Sequence, residues 1–204
     1  MRLYSSPVAP NAWRVNILAR EKNLSLPTTM IDQRDPEARA EYCRINPFGQ
    51  VPSLELDDGR FITESLVICR YLDEVSGGTS LFGGSPEDRA VIGMWERRTE
   101  LHLFIPAVEW GHHARPENAA DFEQIPGVAV AQADILQQFL RMMEERLSAT
   151  AYLGGEHFSI ADITAYVGTT ITLFYGLLPD SLNAINQWRE RVGRRPSVAA
   201  MMGG

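Results

Sequence analysis

The sequence predicts an α/β domain with a mixed four-stranded sheet over residues 1–76, a linker over residues 77–86, and an all-helical domain over residues 87–204. Two observations carry that prediction. The first 75 residues alternate short β-type runs with amphipathic helical ones, the pattern of a layered α/β domain. The segment SGGTSLFGGSPED, residues 76–88, is then rich in Gly and Ser, as domain boundaries are, and everything beyond it has helical spacing.

In order, RLYSS at residues 2–6 reads as a short strand. In NAWRVNILAREKN, residues 11–23, Ala12, Val15, Leu18 and Ala19 recur at helical spacing, so a helix follows. LPTTMI, residues 26–31, is the second strand, and the order strand, helix, strand predicts a parallel pair joined by a right-handed crossover. PEARAEYCRIN, residues 36–46, reads as a second helix. Residues 53–56 and 60–62 are short runs joined by Asp57-Asp58-Gly59, a hairpin signal because glycine adopts positive φ without a Cβ clash. From Ser65 the run SLVICRYLDEV is apolar at Leu66, Val67, Ile68, Tyr71, Leu72 and Val75, which predicts a helix with one buried face.

Beyond the linker, Pro86 and Glu87 open a long helical segment through Trp95, Leu101 and Phe104, with a bend expected at Pro106 because a helical proline removes one backbone bond. Residues 128–148 form a second long helix. FSIADI, residues 158–163, announces a third: Ser159 is the N-cap, Asp162 its reciprocal partner, and Phe158 staples against Ile163. INQWRERVGRRPSVAAMM, residues 185–202, supplies a last helix, stopped near Gly193 and Pro196.

The bulk composition narrows the function classes. With 204 residues and 45% hydrophobic composition the chain can bury a real core. Its net charge of −7, its single lysine Lys22 and its scattered arginines argue against a nucleic-acid surface, which needs clustered cations. Cys43 and Cys69 have neither disulfide-framework nor zinc spacing, so a reducing compartment fits best. The adjacent pair His112 and His113 points about 100° apart on a helix and has no carboxylate pattern to complete a metal site. No signal-peptide core follows Met1, and the longest uncharged run, residues 163–179, is shorter than the ~20 residues of a membrane span, so it reads as a buried helix.

One stretch carries chemistry: NPFGQVPSLELDDGRFITES, residues 46–65. It ends with Glu64 and Ser65 at a helix start, where backbone N–H groups and the helix dipole favour a carboxylate and where Glu64 can accept from an ammonium. Read alone, Ser65 serves equally as a helix cap and Glu64 as a solvated acid. Together with the Gly-rich linker, FSIADI and RPSV, these residues resemble a cytosolic glutathione S-transferase over nearly the whole chain. The resemblance implies a thioredoxin-like N-terminal domain, glutathione as co-substrate without a metal, a small electrophile as second substrate, and a homodimer in the cytoplasm. It further implies that Pro52 is cis and turns the backbone of Val51 toward glutathione as if it were an added strand. By the same resemblance, Glu64 and Ser65 hold the γ-glutamyl end, and Gln50 bonds the tripeptide backbone or its glycyl end.

Such proteins lower the thiol pKa of glutathione, roughly 8.5 for an unperturbed thiol, so that thiolate exists at neutral pH. The family's donor follows the first strand, here in YSSPVAPNAWRV, residues 4–15. Aligned on RLY and on WRV, which resembles the zeta class, the serine of several classes falls on Ala9 and the cysteine of beta-like bacterial proteins on Pro10. Neither offers a donor. Asn11 is then the first candidate, its amide N–H reaching the sulfur as in bacterial members resembling the nu class, followed by Ser6 and Ser5. Asn11 also reads as a plain N-cap, and Ser6, before Pro7, as a hydroxyl satisfying a turn.

The resemblance places the electrophile between the domains, with Pro7, Val8 and Trp13 and, from the helical domain, Leu103, Phe104, Trp110 and Phe174 as candidate lining. Most of these aromatics read more readily as ordinary core than as pocket lining. Arg97 and Arg98 are candidates for a dimer groove, with a solvated charged face as the default, and by the resemblance Glu100 is a candidate to reach a partner subunit's glutathione. Two sibling activities share the same site, glutathione-dependent disulfide reduction and isomerisation of a maleyl-type dicarboxylate. A non-catalytic interaction protein on this fold, like the bacterial stringent-starvation proteins that bind the transcription machinery, is the reading from another class.

Overall fold

The computed structural model describes residues 1–202. The chain forms two compact units, one made of Met1–Ser80 and the C-terminal helix, the other of Leu81–Arg195. In the first unit, β1 (Arg2–Ser5), α1 (Pro10–Glu21), β2 (Thr28–Met30), α2 (Pro36–Tyr42), β3 (Ser53–Glu55), β4 (Phe61–Ile62) and α3 (Ser65–Ser76) follow one another, and α9 (Pro196–Met202) completes it. The sheet order is β2-β1-β3-β4. β1 and β2 are parallel with Leu3 opposite Thr28, while β3 runs antiparallel to β1 with Leu54 opposite Leu3. β4 pairs antiparallel with β3, closing the hairpin that Asp58-Gly59 predicts; Gly59 has φ +83° and Leu56 N–H bonds to the Arg60 carbonyl at 2.8 Å. This is the mixed four-stranded sheet that the alternating pattern predicts.

The core of this unit joins Leu3 and Leu54 of the sheet to Ala12, Val15 and Leu18 of α1 and Ile68, Cys69 and Leu72 of α3. Two residues expected on the buried face of α3 lie outside it: Val67 is 53% exposed and Val75 50%. The buried arc of α3 is instead centred on Ser65, Ile68, Cys69, Leu72 and Asp73, because a polar group can be buried where it is paired. Asp73 makes an ion pair with Lys22 at 3.1 Å, and both side chains are almost fully buried. Lys22 Nζ also donates to the carbonyls of Gly77 at 2.7 Å and Thr79 at 2.9 Å, and Ser80 Oγ donates to Asp73 Oδ2 at 2.6 Å. The chain leaving α3 is thus tied to the end of α1.

The second unit is helical: α4 (Pro86–Thr99), α5 (Ile105–Ala114), α6 (Pro126–Ala149), α7 (Ile160–Phe174) and α8 (Asn183–Gly193). The interruption expected at Pro106 is a π-helical turn over Glu100–Phe104, in which Ile105 N–H reaches back to the Glu100 carbonyl. Pro106 lacks an N–H, and its ring would clash with the carbonyl four residues earlier, so the wider turn makes room for the ring. α7 is buried nearly throughout and carries the predicted capping box, with Asp162 Oδ2 accepting from the N–H and hydroxyl of Ser159 at 3.0 and 2.9 Å. Among the described residues no helix is long and apolar enough to cross a membrane.

The chain end differs from the sequence expectation of a single last helix. α8 ends at Gly193, and Pro196 starts a new helix, α9, as proline does readily at a first helical position. Val198 is fully buried, and Ser197 Oγ bonds to Glu21 of α1, so α9 belongs to the first unit.

Candidate functional site

The residues singled out in the sequence lie in the first unit at three places: the turn into β3, the start of α3, and the start of α1. The Val51–Pro52 peptide is cis. Val51 and Pro52 are buried, whereas the Gln50 side chain is exposed. The turn is held from behind: the Gln50 carbonyl accepts from Asn46 Nδ2 at 2.7 Å and from the Tyr42 hydroxyl at 3.2 Å, and the Gly49 carbonyl from Gln33 Nε2 at 3.1 Å.

At the start of α3, Glu64 is the N-cap residue with φ +64°. A side chain with a Cβ rarely adopts that left-handed conformation, which here turns the chain abruptly from β4 into the helix. Glu64 is exposed and Ser65 buried. The Ser65 hydroxyl is not spent on capping its own helix; it crosses to α1 and donates to Asn11 Oδ1 at 3.2 Å.

Asn11 is the second residue of α1, not its N-cap. That position is held by Ala9, which has no side chain to cap with. Arg14 Nη2, on a side chain only 3% exposed, donates to the same Asn11 oxygen. Both bonds fall on Oδ1, so the Asn11 amide N–H groups make no hydrogen bond among the described residues and remain available as donors. The other two thiol candidates sit deeper. Ser5 lies on the same face of β1 as Leu3, is fully buried, and its Oγ has no partner among the described residues. Ser6 is 4% exposed, with its carbonyl closing a turn to Ala9 N–H at 3.4 Å. Asn11, half-buried beside Ser65, is the one that shares a hydrogen bond with a binding candidate.

Several residues that the sequence did not single out as site residues enter the same arrangement: Arg14, Gln33, Tyr42 and, at the first position of the 46–65 stretch, Asn46. The Asn-Pro dipeptide at 46–47 signals a turn, and Asn46 Oδ1 does accept from Phe48 N–H at 3.2 Å as such turns require. Burial pushes the Tyr42 hydroxyl above its ordinary pKa, so it stays protonated and able to donate.

Of the apolar residues considered for an electrophile, Val8 and Phe174 are exposed, at 69% and 73%. Leu103 and Phe104 are core of the helical unit, where a Cβ added to Gly168 would meet Leu103 at 2.9 Å. His112 stacks on Phe122 at 3.8 Å and His113 Nδ1 accepts from Ile125 N–H at 3.2 Å, both in local packing roles. Arg97 pairs with Glu100 at 3.1 Å on the surface. No group of three metal-ligating side chains occurs among the described residues.

The glutathione S-transferase N-terminal domain matches residues 8–75 and the glutathione S-transferase C-terminal domain residues 120–196. Glutathione S-transferase 2 of Saccharomyces cerevisiae is 32% identical over 208 residues, covering 99% of this chain and 89% of the yeast protein. The crystal structure of Gtt2 from Saccharomyces cerevisiae superposes with a TM-score of 0.89 at 32% identity, covering 98% of this chain and 100% of that one. A glutathione S-transferase domain-containing protein from Marinobacter aquaeolei VT8 gives 0.90 at 34% identity, covering 97% and 100%. Two matched domains in order and relatives that span both chains agree with a thioredoxin-like sheet followed by helices: the chain belongs to the glutathione S-transferase family and is a glutathione transferase.

Proposed function

We propose that the protein binds glutathione against the 50–52 turn and the start of α3, stabilises its thiolate with the Asn11 amide, and promotes attack on a small hydrophobic electrophile. The bond from Ser65 Oγ to Asn11 Oδ1 carries this reading, because it ties the helix start that suits the γ-glutamyl carboxylate to the one candidate with donor N–H groups to spare. Backbone N–H groups at the start of a twelve-residue helix favour the carboxylate, and the exposed Glu64 accepts from the ligand ammonium. Gln50 and Val51 serve the tripeptide backbone.

In the reaction the glutathione S–H loses its proton to solvent and the thiolate sulfur, held by the Asn11 N–H, gives its electron pair to an electrophilic carbon. A new C–S bond forms as the electrophile's leaving group departs with its bonding pair, or as a conjugated acceptor takes up the charge. The amide is a neutral donor, so its effect on the thiol is smaller than that of a cation.

The protein acts in this reading as a cytoplasmic homodimer. Exposed apolar side chains on each unit support an interface: Phe48 and Val67 on the first, Val91, Met94 and Leu101 on the second.

Calorimetric titration with glutathione, with ultraviolet titration of the bound thiolate, tests the proposal on the parent chain, Glu64→Ala and Asn11→Ala. Glu64→Ala is expected to weaken binding by about tenfold or more. Asn11→Ala is expected to keep binding and raise the bound thiol pKa by about one unit. No binding to the parent at millimolar glutathione sinks the reading in favour of an interaction protein, and an unchanged thiolate curve in Asn11→Ala removes Asn11 from the mechanism.

A further inference from the structure

The turn that leads into Pro52 is gripped through its carbonyl groups by side chains that never reach the surface. Asn46 is 4% exposed and Tyr42 2%, and both donate to the single Gln50 carbonyl. Each donor is itself fixed. Asn46 takes Phe48 N–H on its side-chain oxygen and Gly49 N–H on its carbonyl at 2.8 Å, and the Tyr42 hydroxyl is met by Ser53 Oγ 2.5 Å away.

The Gln50–Val51 peptide is trans, and in a trans peptide the N–H points opposite to the C=O. A Gln50 carbonyl held inward therefore turns the Val51 N–H outward, away from Tyr42 and Asn46. That N–H makes no hydrogen bond to any described residue, although Val51 is only 5% exposed. Backbone donors in such surroundings are nearly always paired, so this one points to a ligand acceptor.

We infer that Asn46 and Tyr42 are positioning residues for glutathione: holding the Gln50 carbonyl from behind, they aim the Val51 N–H at a carbonyl oxygen of the tripeptide backbone. The inference rests on the 50–52 turn being part of the glutathione site. Because the two donors share one acceptor, each backs up the other. Removal of one leaves the peptide plane held by the other, and removal of both frees it to rotate.

The test is the affinity and the kinetics for glutathione of the parent chain, Tyr42→Phe, Asn46→Ala and the double variant, with calorimetric Kd and with chlorodinitrobenzene as the electrophile. Tyr42→Phe keeps the ring and its packing, so it reports on the hydroxyl even where Asn46→Ala folds poorly. Each single substitution is expected to raise Kd and KM for glutathione by about threefold to tenfold, with kcat at saturating glutathione within about twofold of the parent. The double variant is expected to lose more than the product of the two singles. Single and double variants that melt at lower temperature but keep the parent Kd overturn the inference and assign both residues to stability alone. A fall in kcat with Kd unchanged overturns it as well. A parent chain that binds no glutathione overturns the site itself, which separates that failure from the failure of the two positioning residues.

Discussion

Glu64 pairs a proposed binding position with an unfavourable backbone. A non-glycine residue in the left-handed region costs about 1–3 kcal/mol, and such residues persist where the surroundings require them. Glu64→Gly is expected to raise the stability by about 1 kcal/mol, read as a higher melting temperature, while glutathione affinity falls because the carboxylate is gone. A variant that melts lower shows that Glu64 is not strained in the folded protein. Nothing in the sequence announces this conformation, since the local signal for positive φ is glycine or asparagine and the residue here is neither. Asn11 was half legible: the sequence places it at a helix start and offers an N-cap role, yet the cap is Ala9 and the amide oxygen instead serves Ser65 and Arg14. A partner 54 positions away leaves no trace in a local pattern. The same holds for Tyr42, whose role depends on a carbonyl in a turn.

At the scale of elements, the start of α7 shows what a motif does and does not reveal. FSIADI discloses Ser159 and Asp162 as a box, but Asp162 does more than close it: its Oδ1 also accepts from Leu153 N–H at 3.0 Å and from Trp188 Nε1 at 2.9 Å. Burial pushes the Asp162 carboxyl up, and the surrounding donors oppose that shift. Asp162→Ala would strand these buried N–H groups at about 1–3 kcal/mol each, so a loss of at least about 3 kcal/mol is expected in denaturant unfolding. A loss below about 1 kcal/mol would mean that water reaches the site. The Pro106 interruption was legible in position but not in form, because a missing N–H predicts that the helix must yield and not that it yields as a π turn. The stop near Gly193 and Pro196 was legible, whereas a separate helix α9 beyond it was not, because its attachment to α1 depends on tertiary packing of Val198 that periodicity cannot specify.

At the scale of the molecule, the order strand, helix, strand, helix, hairpin, helix and then helices alone was readable throughout, because each element carries its own period and its own turn residues. What was hidden is how the exit from α3 is secured, by the buried pair of Lys22 and Asp73 with the Gly77 and Thr79 carbonyls. Removing one member of a buried ion pair leaves an uncompensated charge, and Lys22→Met is expected to lower stability by about 3–5 kcal/mol. Replacing both, Lys22→Met with Asp73→Leu, is expected to recover most of that loss, and a double-variant loss equal to the sum of the two single losses would show that the ion pair itself contributes nothing.

The position of Lys22 also decides what the surface offers to reactive chemistry. The chain has one ε-amine, and it is folded into the base of the linker with 7% of its side chain exposed. All other basic side chains apart from histidine are guanidinium groups, which remain protonated at physiological pH and alkylate slowly. With Cys69 buried and Cys43 half-buried, the protein presents few thiol or lysine nucleophiles of its own. An enzyme proposed to work among electrophiles is thereby a poor target for them, and amine-directed labels or immobilising resins will find no lysine on its surface.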